Sequence, residues 1–180
     1  MKTILITLLI TFTALASEQA RKALRLPLKG SDFSPATSRL TQEQEVIVMT
    51  ILGEARGEKE IGMYAVACVI KERMDKRKAC GIAICTAWRQ FSCWNPKDSD
   101  RRLRKLLNRS KEHLYAIKLA QAVTTKNGLD KRVTKTADHY CTLKTNPYWS
   151  YKTVVKGGKK IKVPIKPVKV IGNHKFFKLN

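Results

Sequence analysis

The stretch ILGEARGEKEIGMYAVACVIKERM, Ile51 to Met74, decides how the chain is read. Met63, Val66, Ala67 and Ile70 recur at i, i+3, i+4 and i+7, which predicts a helix over about Glu60 to Met74. The start of the stretch is the end of another helix. Gly53 and Gly57 argue against one continuous rod through both. The turn between them holds two carboxylates in opposite electrostatic settings. Glu54 falls at the C-terminal end of the first helix, where the negative end of the helix dipole disfavours an ionised side chain, and partial burial acts in the same direction. A carboxyl that keeps its proton near neutral pH is what general acid catalysis requires. Gly53 beside it leaves room for a bulky chain to approach. Glu58 opens the second helix, where the positive dipole end favours the ionised form. A structural part, as a cap or in an ion pair with Arg56, fits it better than a catalytic one. For both groups the plain alternative is a solvated charged turn.

Upstream, Thr41 and Gln44 have the spacing of a capping box that starts the first helix. Val46, Ile47 and Met49 carry its apolar stripe to Leu52. Downstream, residues 80–88 have room for a brief helix. FSCWNPKDSD, residues 91–100, has the turn chemistry of Asn95-Pro96 and Asp98-Ser99-Asp100 and reads as a loop. A third long helix is expected from about Lys111 to Thr124, with Leu114, Ile117 and Ala120 on its apolar side and His113 facing out. Asn127-Gly128 ends it. The period then changes to two. The stretch from Tyr148-Trp149-Ser150-Tyr151 to IKVPIKPVKVI alternates apolar and basic residues around Gly157-Gly158. That pattern predicts a hairpin or flap, which Pro164 and Pro167 restrict to edge pairing. The fold class is therefore α+β, mainly α, with a small β element near the C-terminus.

The chain has 180 residues, 43% of them hydrophobic, enough for one compact domain placed at residues 39–180. Residues 1–16 read as a signal peptide: Lys2, an apolar run from Ile4 to Leu15, and Ala14-Leu15-Ala16 as a cleavage site. The run is shorter than the roughly 20 residues of a membrane span. An uncleaved anchor is the alternative, since Arg21, Lys22 and Arg25 follow. Residues 17–38 read as a basic flexible linker. The expected location is outside the cytoplasm, either periplasmic or in the wall. Thirty-six Lys and Arg against 14 Asp and Glu give a formal charge of +22, a field that draws in polyanions. For an exported chain that means wall polymer or an anionic membrane surface rather than nucleic acid. Five cysteines leave at least one unpaired: Cys68, in an apolar helix, is expected as a buried free thiol. Cys80, Cys85, Cys93 and Cys141 could form two bridges in any of three pairings. No CxxC or HExxH spacing suggests zinc, and neither metal nor cofactor is expected.

At the level of motifs, GEARGE, GMYAVACVIKER and QFSCWN resemble the spore-cortex-lytic type of cell wall hydrolase. In that family an E-A-R-G-E turn precedes a helix of the form G-x-x-A-V-A-x-V-I-x-N-R. Gly62 to Arg73 matches it except at Glu72, where the family usually has Asn. Ala137-Asp138-His139-Tyr140, Pro147-Tyr148-Trp149 and the segment from Ile171 to Phe177 resemble its later motifs, in the same order. The resemblance implies a lysozyme-like domain that cleaves the β-1,4 bond between N-acetylmuramic acid and N-acetylglucosamine in peptidoglycan; a monomer is expected. It makes Glu54, the first glutamate of the turn, the catalytic one, with Glu58 and Tyr140 as secondary candidates. Gln90, Phe91, Ser92, Trp94 and Asn95 form a polar-aromatic loop suited to sugars, whose apolar faces stack on aromatic rings. His139, Trp149 and His174 are further candidates for substrate contact.

Most glycosidases use a second carboxylate. Asp98, Asp100, Asp130 and Asp138 have no persuasive context for that part. A lone acid favours a lytic transglycosylase, in which the sugar's own 6-hydroxyl attacks, over a muramidase-type hydrolase of the same bond. Two other enzyme classes compete: a thiol amidase or endopeptidase on Cys93, with His139 as base, and a zinc amidase. A non-enzymatic basic wall-binding protein is a third alternative.

Overall fold

A computed structural model describes residues 39–109, 112–126 and 128–179. The expected signal peptide and linker, as well as Lys111 and Asn127, lie outside the described residues. The fold is a mixture of helix and strand in which helix predominates, α+β as expected.

Helix α1 (Gln42–Ala55) starts on the capping box: the Thr41 hydroxyl accepts from the Gln44 N–H, and the Gln44 side chain accepts from the Thr41 N–H. From Val46 to Leu52 every residue is buried, so α1 is apolar all round and runs through the middle of the molecule. It extends to Ala55, past Gly53, which does not end it. The Cβ of an alanine at position 53 would stand 2.6 Å from Cys93 Cβ and 2.8 Å from Leu103 Cδ2. The glycine therefore admits the protein's own packing rather than a substrate chain.

A tight 3-10 turn, Arg56–Glu58, separates α1 from helix α2 (Lys59–Arg77). The break is sharp: Lys59 sits at φ 59° and ψ −177°, an uncommon conformation for a residue with a side chain. Helix α3 (Gly81–Thr86) follows. Helix α4 (Ser99–Arg109) starts inside the stretch expected to be a loop, residues 91–100, and continues through residues for which no element is expected. Asp98, Ser99 and Asp100 introduce this helix, and Leu103 buries its apolar contact against the core. Helix α5 (His113–Thr124) turns Ala116, Leu119, Ala120 and Val123 inward, while Leu114, expected on the apolar side, is 74% exposed. α1 packs against α2, α3, α4 and α5.

The strands form two sheets. Strands β2 (Tyr151–Lys156) and β3 (Lys159–Pro164) make the expected hairpin, with Lys156 paired to Lys159 beside the turn and Tyr151 paired to Pro164 at the base. Gly157 (φ 58°) and Gly158 (φ 75°) give the two left-handed residues that a tight two-residue turn needs. The second sheet has the order β1-β5-β4, with β1 at His139–Thr142, β4 at Lys169–Ile171 and β5 at His174–Phe177. It packs on α2 through Ala65, Val69, Ile171 and Phe176.

All five cysteines are free thiols, which corrects the expectation of two bridges. Cys68 is buried as foreseen. Cys85 and Cys93 are buried too, and Cys80 is exposed. The compact core supplies the cohesion that bridges provide in much smaller domains. Glu72, the departure from the family pattern, is buried in an ion pair with Lys131 at 2.7 Å.

Candidate active site

Glu54 lies in the last turn of α1 and is half-buried. The route to it is local and then tertiary. The Trp94 indole N–H donates to the Thr50 hydroxyl at 2.9 Å, one turn before Glu54. That bond pins the short 3-10 turn Ser92–Trp94 against α1. The turn then presents two donors to Glu54 Oε1, the Ser92 hydroxyl at 3.0 Å and the Cys93 backbone N–H at 2.7 Å. From the sheet, the Tyr140 hydroxyl donates to Oε2 at 2.8 Å. Three donors from two separate elements therefore fix both oxygens of one carboxyl group.

The electrostatics around it are consistent with donors that stay donors. Desolvation, then the neighbouring Glu54 carboxylate, holds the Tyr140 phenol far above its usual range. The Cys93 thiol is also pushed upward, first by burial and then by Glu54. Such a thiol is the opposite of the low-pKa thiolate a cysteine nucleophile needs. His139, the base that a thiol mechanism would use, turns its Nδ1 to Asp138 Oδ1 at 2.9 Å.

A cleft of about 720 Å³ opens over Glu54. One segment of its wall is Trp88, Arg89, Gln90, Ser92 and Asn95; another runs from His139 to Thr142 and on to Pro147, Tyr148 and Trp149, with His174 beside it. Of the residues singled out in the sequence, Gln90, Ser92, Asn95, His139, Tyr140, Trp149 and His174 line it together with Glu54. Trp149 also packs, its ring 5.0 Å from His139 and 5.4 Å from Phe177. Phe91 and Trp94 do not line it. Phe91 is 1% exposed, under the Arg73 guanidinium at 4.8 Å, and Trp94 is committed to Thr50. In alternating apolar and polar loops, the larger apolar residues are taken up by the core.

Glu58 is not in the cleft. Its carboxylate accepts from the Asn173 backbone N–H at 2.8 Å and from the Asn173 side-chain amide at 3.1 Å. Those bonds, led by the backbone one, hold its pKa below the usual value. Its partner is the β4–β5 turn rather than Arg56, whose guanidinium reaches back to the Leu52 carbonyl. Gly172 in that turn has φ 54°, and an added Cβ there would stand 2.3 Å from Glu58 Oε2.

The cleft residues that the sequence did not single out include Trp88, Tyr148 and Arg73. Trp88 is 72% exposed and Tyr148 is 88% exposed, two aromatic faces at the rim with little else to cover. Both fall in periodic elements by sequence; in the structure the helix stops at Thr86, short of Trp88, and Tyr148 opens a short 3-10 turn ahead of β2, so neither is held in a long element. Arg73 is buried at the cleft floor and donates to the Asp138 carbonyl at 2.6 Å and the Gln90 carbonyl at 3.4 Å. It joins the two wall segments through their backbones.

Residues 57–177 match the family model described as Cell Wall Hydrolase. The chain belongs to the cell wall hydrolase family. As a cell wall hydrolase it acts on peptidoglycan. No curated protein and no solved structure matches the chain. The matched span of the cell wall hydrolase begins three residues after Glu54. Among the described residues no helix is long and apolar enough to cross a membrane.

Proposed function

We propose that this cell wall hydrolase cleaves the glycan strand at the β-1,4 bond between N-acetylmuramic acid and N-acetylglucosamine, as an exported lytic transglycosylase of lysozyme-like fold. One observation carries the reading: among the described residues, Glu54 is the single carboxylate that lines the cleft. Asp138, the chain neighbour of the cleft residue His139, is committed to Lys76 at 2.6 Å, to His139 and to the Leu179 N–H. A hydrolase with two acids needs both at the scissile bond. One acid suffices when the nucleophile belongs to the substrate.

Glu54 protonates the glycosidic oxygen as the bond from the muramic C1 to that oxygen breaks. The 6-hydroxyl of the same muramic residue then forms the new bond to C1 and returns its proton to Glu54, which restores the starting state. Tyr140, Ser92 and the Cys93 N–H hold the carboxyl in place through both transfers. Trp88, Tyr148 and Trp149 offer rings to the apolar faces of the sugars, and Gln90 and Asn95 offer amides to their acetamido and hydroxyl groups.

Mass spectrometry of products from purified peptidoglycan tests the bond and the route. Anhydromuramyl ends are expected. Reducing muramyl ends would replace the reading with simple hydrolysis, and freed stem peptides would remove it. Glu54→Gln should lower the rate by roughly 10²–10⁴-fold, the usual contribution of a general acid.

A further inference from the structure

All 14 acidic residues precede His139; from there to the end of the chain there are ten lysines and not one Asp, Glu or Arg. The charge of the molecule is therefore not even. Half of those lysines, Lys152, Lys156, Lys159, Lys160 and Lys162, lie on the β2–β3 hairpin. None of the five makes an ion pair among the described residues.

The hairpin buries almost nothing. Val154 and Val163 are half-buried and every other strand residue is exposed. Alternation places Lys152, Lys156 and Lys159 on one face and Lys160 and Lys162 on the other, so neither face is reserved for a core. A two-stranded hairpin is marginal alone, and this one is tied at its base by the Ile165 N–H donating to the Ser150 carbonyl at 2.8 Å. That base is the rim of the cleft: Tyr148 and Trp149 line it, and the chain enters β2 two residues later at Tyr151.

We propose that the hairpin is a docking arm for the carboxylates of peptidoglycan stem peptides, holding the wall polymer while the cleft engages its glycan strand. This rests on the glycan-cleaving reading of the cleft. The occupant follows from charge and place. A strand lying past Tyr148 and Trp149 carries its stems, with their free carboxylates, along the adjoining surface, where five unpaired ammonium groups stand. Lysine suits this task, because a hydrated point charge on a flexible stem can follow carboxylates of irregular position, whereas guanidinium forks favour one fixed geometry.

Binding of the Glu54→Gln chain to phosphate-polymer-free peptidoglycan, measured by co-sedimentation, tests it without turnover. The comparison is between peptidoglycan with native stem carboxylates and the same material amidated by carbodiimide and an amine. A second protein also carries K152Q, K156Q, K159Q, K160Q and K162Q, with its fold checked by circular dichroism. Amidation should weaken binding of the first protein roughly tenfold at low salt, and the five substitutions should do the same on native material. On amidated material the substitutions should have little further effect. The proposal is overturned if amidation leaves binding unchanged, or if the substitutions weaken binding equally on both materials. It is also overturned if the five lysines matter only when phosphate polymers or anionic vesicles are supplied instead. Cleavage of stem-free glycan oligomers by the unsubstituted protein is measured separately: its absence would remove the reading of the cleft and leave the binding result standing.

Discussion

Glu54 has no reach of its own. Its position near the end of α1 is set by the backbone, and its orientation by three hydrogen bonds from Ser92, Cys93 and Tyr140. These donors differ in how replaceable they are. The Cys93 contact is made by the main chain and survives side-chain substitution there. Tyr140 contributes a hydroxyl on a ring packed 5.7 Å from Phe176 and 5.2 Å from His174, so Tyr140→Phe removes the donor and keeps the packing. Loss of one such bond is worth about 1 kcal/mol or more at a carboxylate, and cleavage by Tyr140→Phe should slow by roughly tenfold with the melting temperature little changed. An unchanged rate would mean that the phenol does not position the acid. Asp138 is a second buried group with several partners. Burial works against its ionised form, but His139, the Leu179 N–H and Lys76 outweigh that and hold its pKa low. Asp138→Ala leaves those partners unanswered and should destabilise the fold by about 2 kcal/mol, read from urea denaturation.

Between elements, two close approaches fix the site. The first is α1 on the Ser92–Trp94 turn, across Gly53. A methyl group at position 53 cannot fit between Cys93 and Leu103. Gly53→Ala should cost about 1–3 kcal/mol of stability and reduce activity by more than the unfolded fraction explains, because the turn that moves also carries two of the donors to Glu54. Thermal denaturation and rate, measured on the same preparation, separate the two effects. The second is the clasp of Glu58 on Asn173, which ties the turn after α1 to the β4–β5 hairpin and so to Tyr140 and His174. The carboxylate has a lowered pKa in the fold, against an ordinary value of 4.5. A group of this sign contributes stability above the unfolded value and loses it as pH falls through the folded one. The difference in stability between the unsubstituted protein and Glu58→Gln should thus be constant above about pH 4.5 and shrink below it. Melting temperatures of the two proteins across that range give the measurement.

At the level of the molecule, the thiols and the charge are distributed by the same division between core and surface. Cys68, Cys85 and Cys93 are inside, and burial pushes the Cys85 thiol up to about 12. Native alkylation should label Cys80 readily, Cys141 more slowly and the other three hardly at all; denaturation without reductant should release all five. Fewer than five labels in the denatured state would reveal a bridge. The charge is partitioned too. The helical part balances some of its bases with pairs such as Lys76–Asp138 and Lys131–Glu72, whereas the C-terminal part has nothing with which to balance them.

What local sequence could specify, it specified well. The capping box at Thr41, the 3.6-residue period of α2, the Gly157-Gly158 turn and the break near Glu54 all depend on neighbours a few residues apart, and each is where the residues place it. Helix α4 was missed because Asp98-Ser99-Asp100 is as suitable for starting a helix as for making a turn, and a downstream apolar contact, Leu103 on the core, makes the choice. The cleft shows the same limit. The helix terminus marked Glu54 locally and the motif resemblance selected it, but the donors that hold it come from positions 92, 93 and 140, and their convergence follows from packing. The fate of an aromatic residue is likewise non-local: Phe91 and Trp94 were drawn into the core while Trp88 and Tyr148, no more polar, stayed at the rim. Burial is a property of where the chain returns to meet itself, and pairing over 38 or 86 positions leaves no periodic trace in either partner.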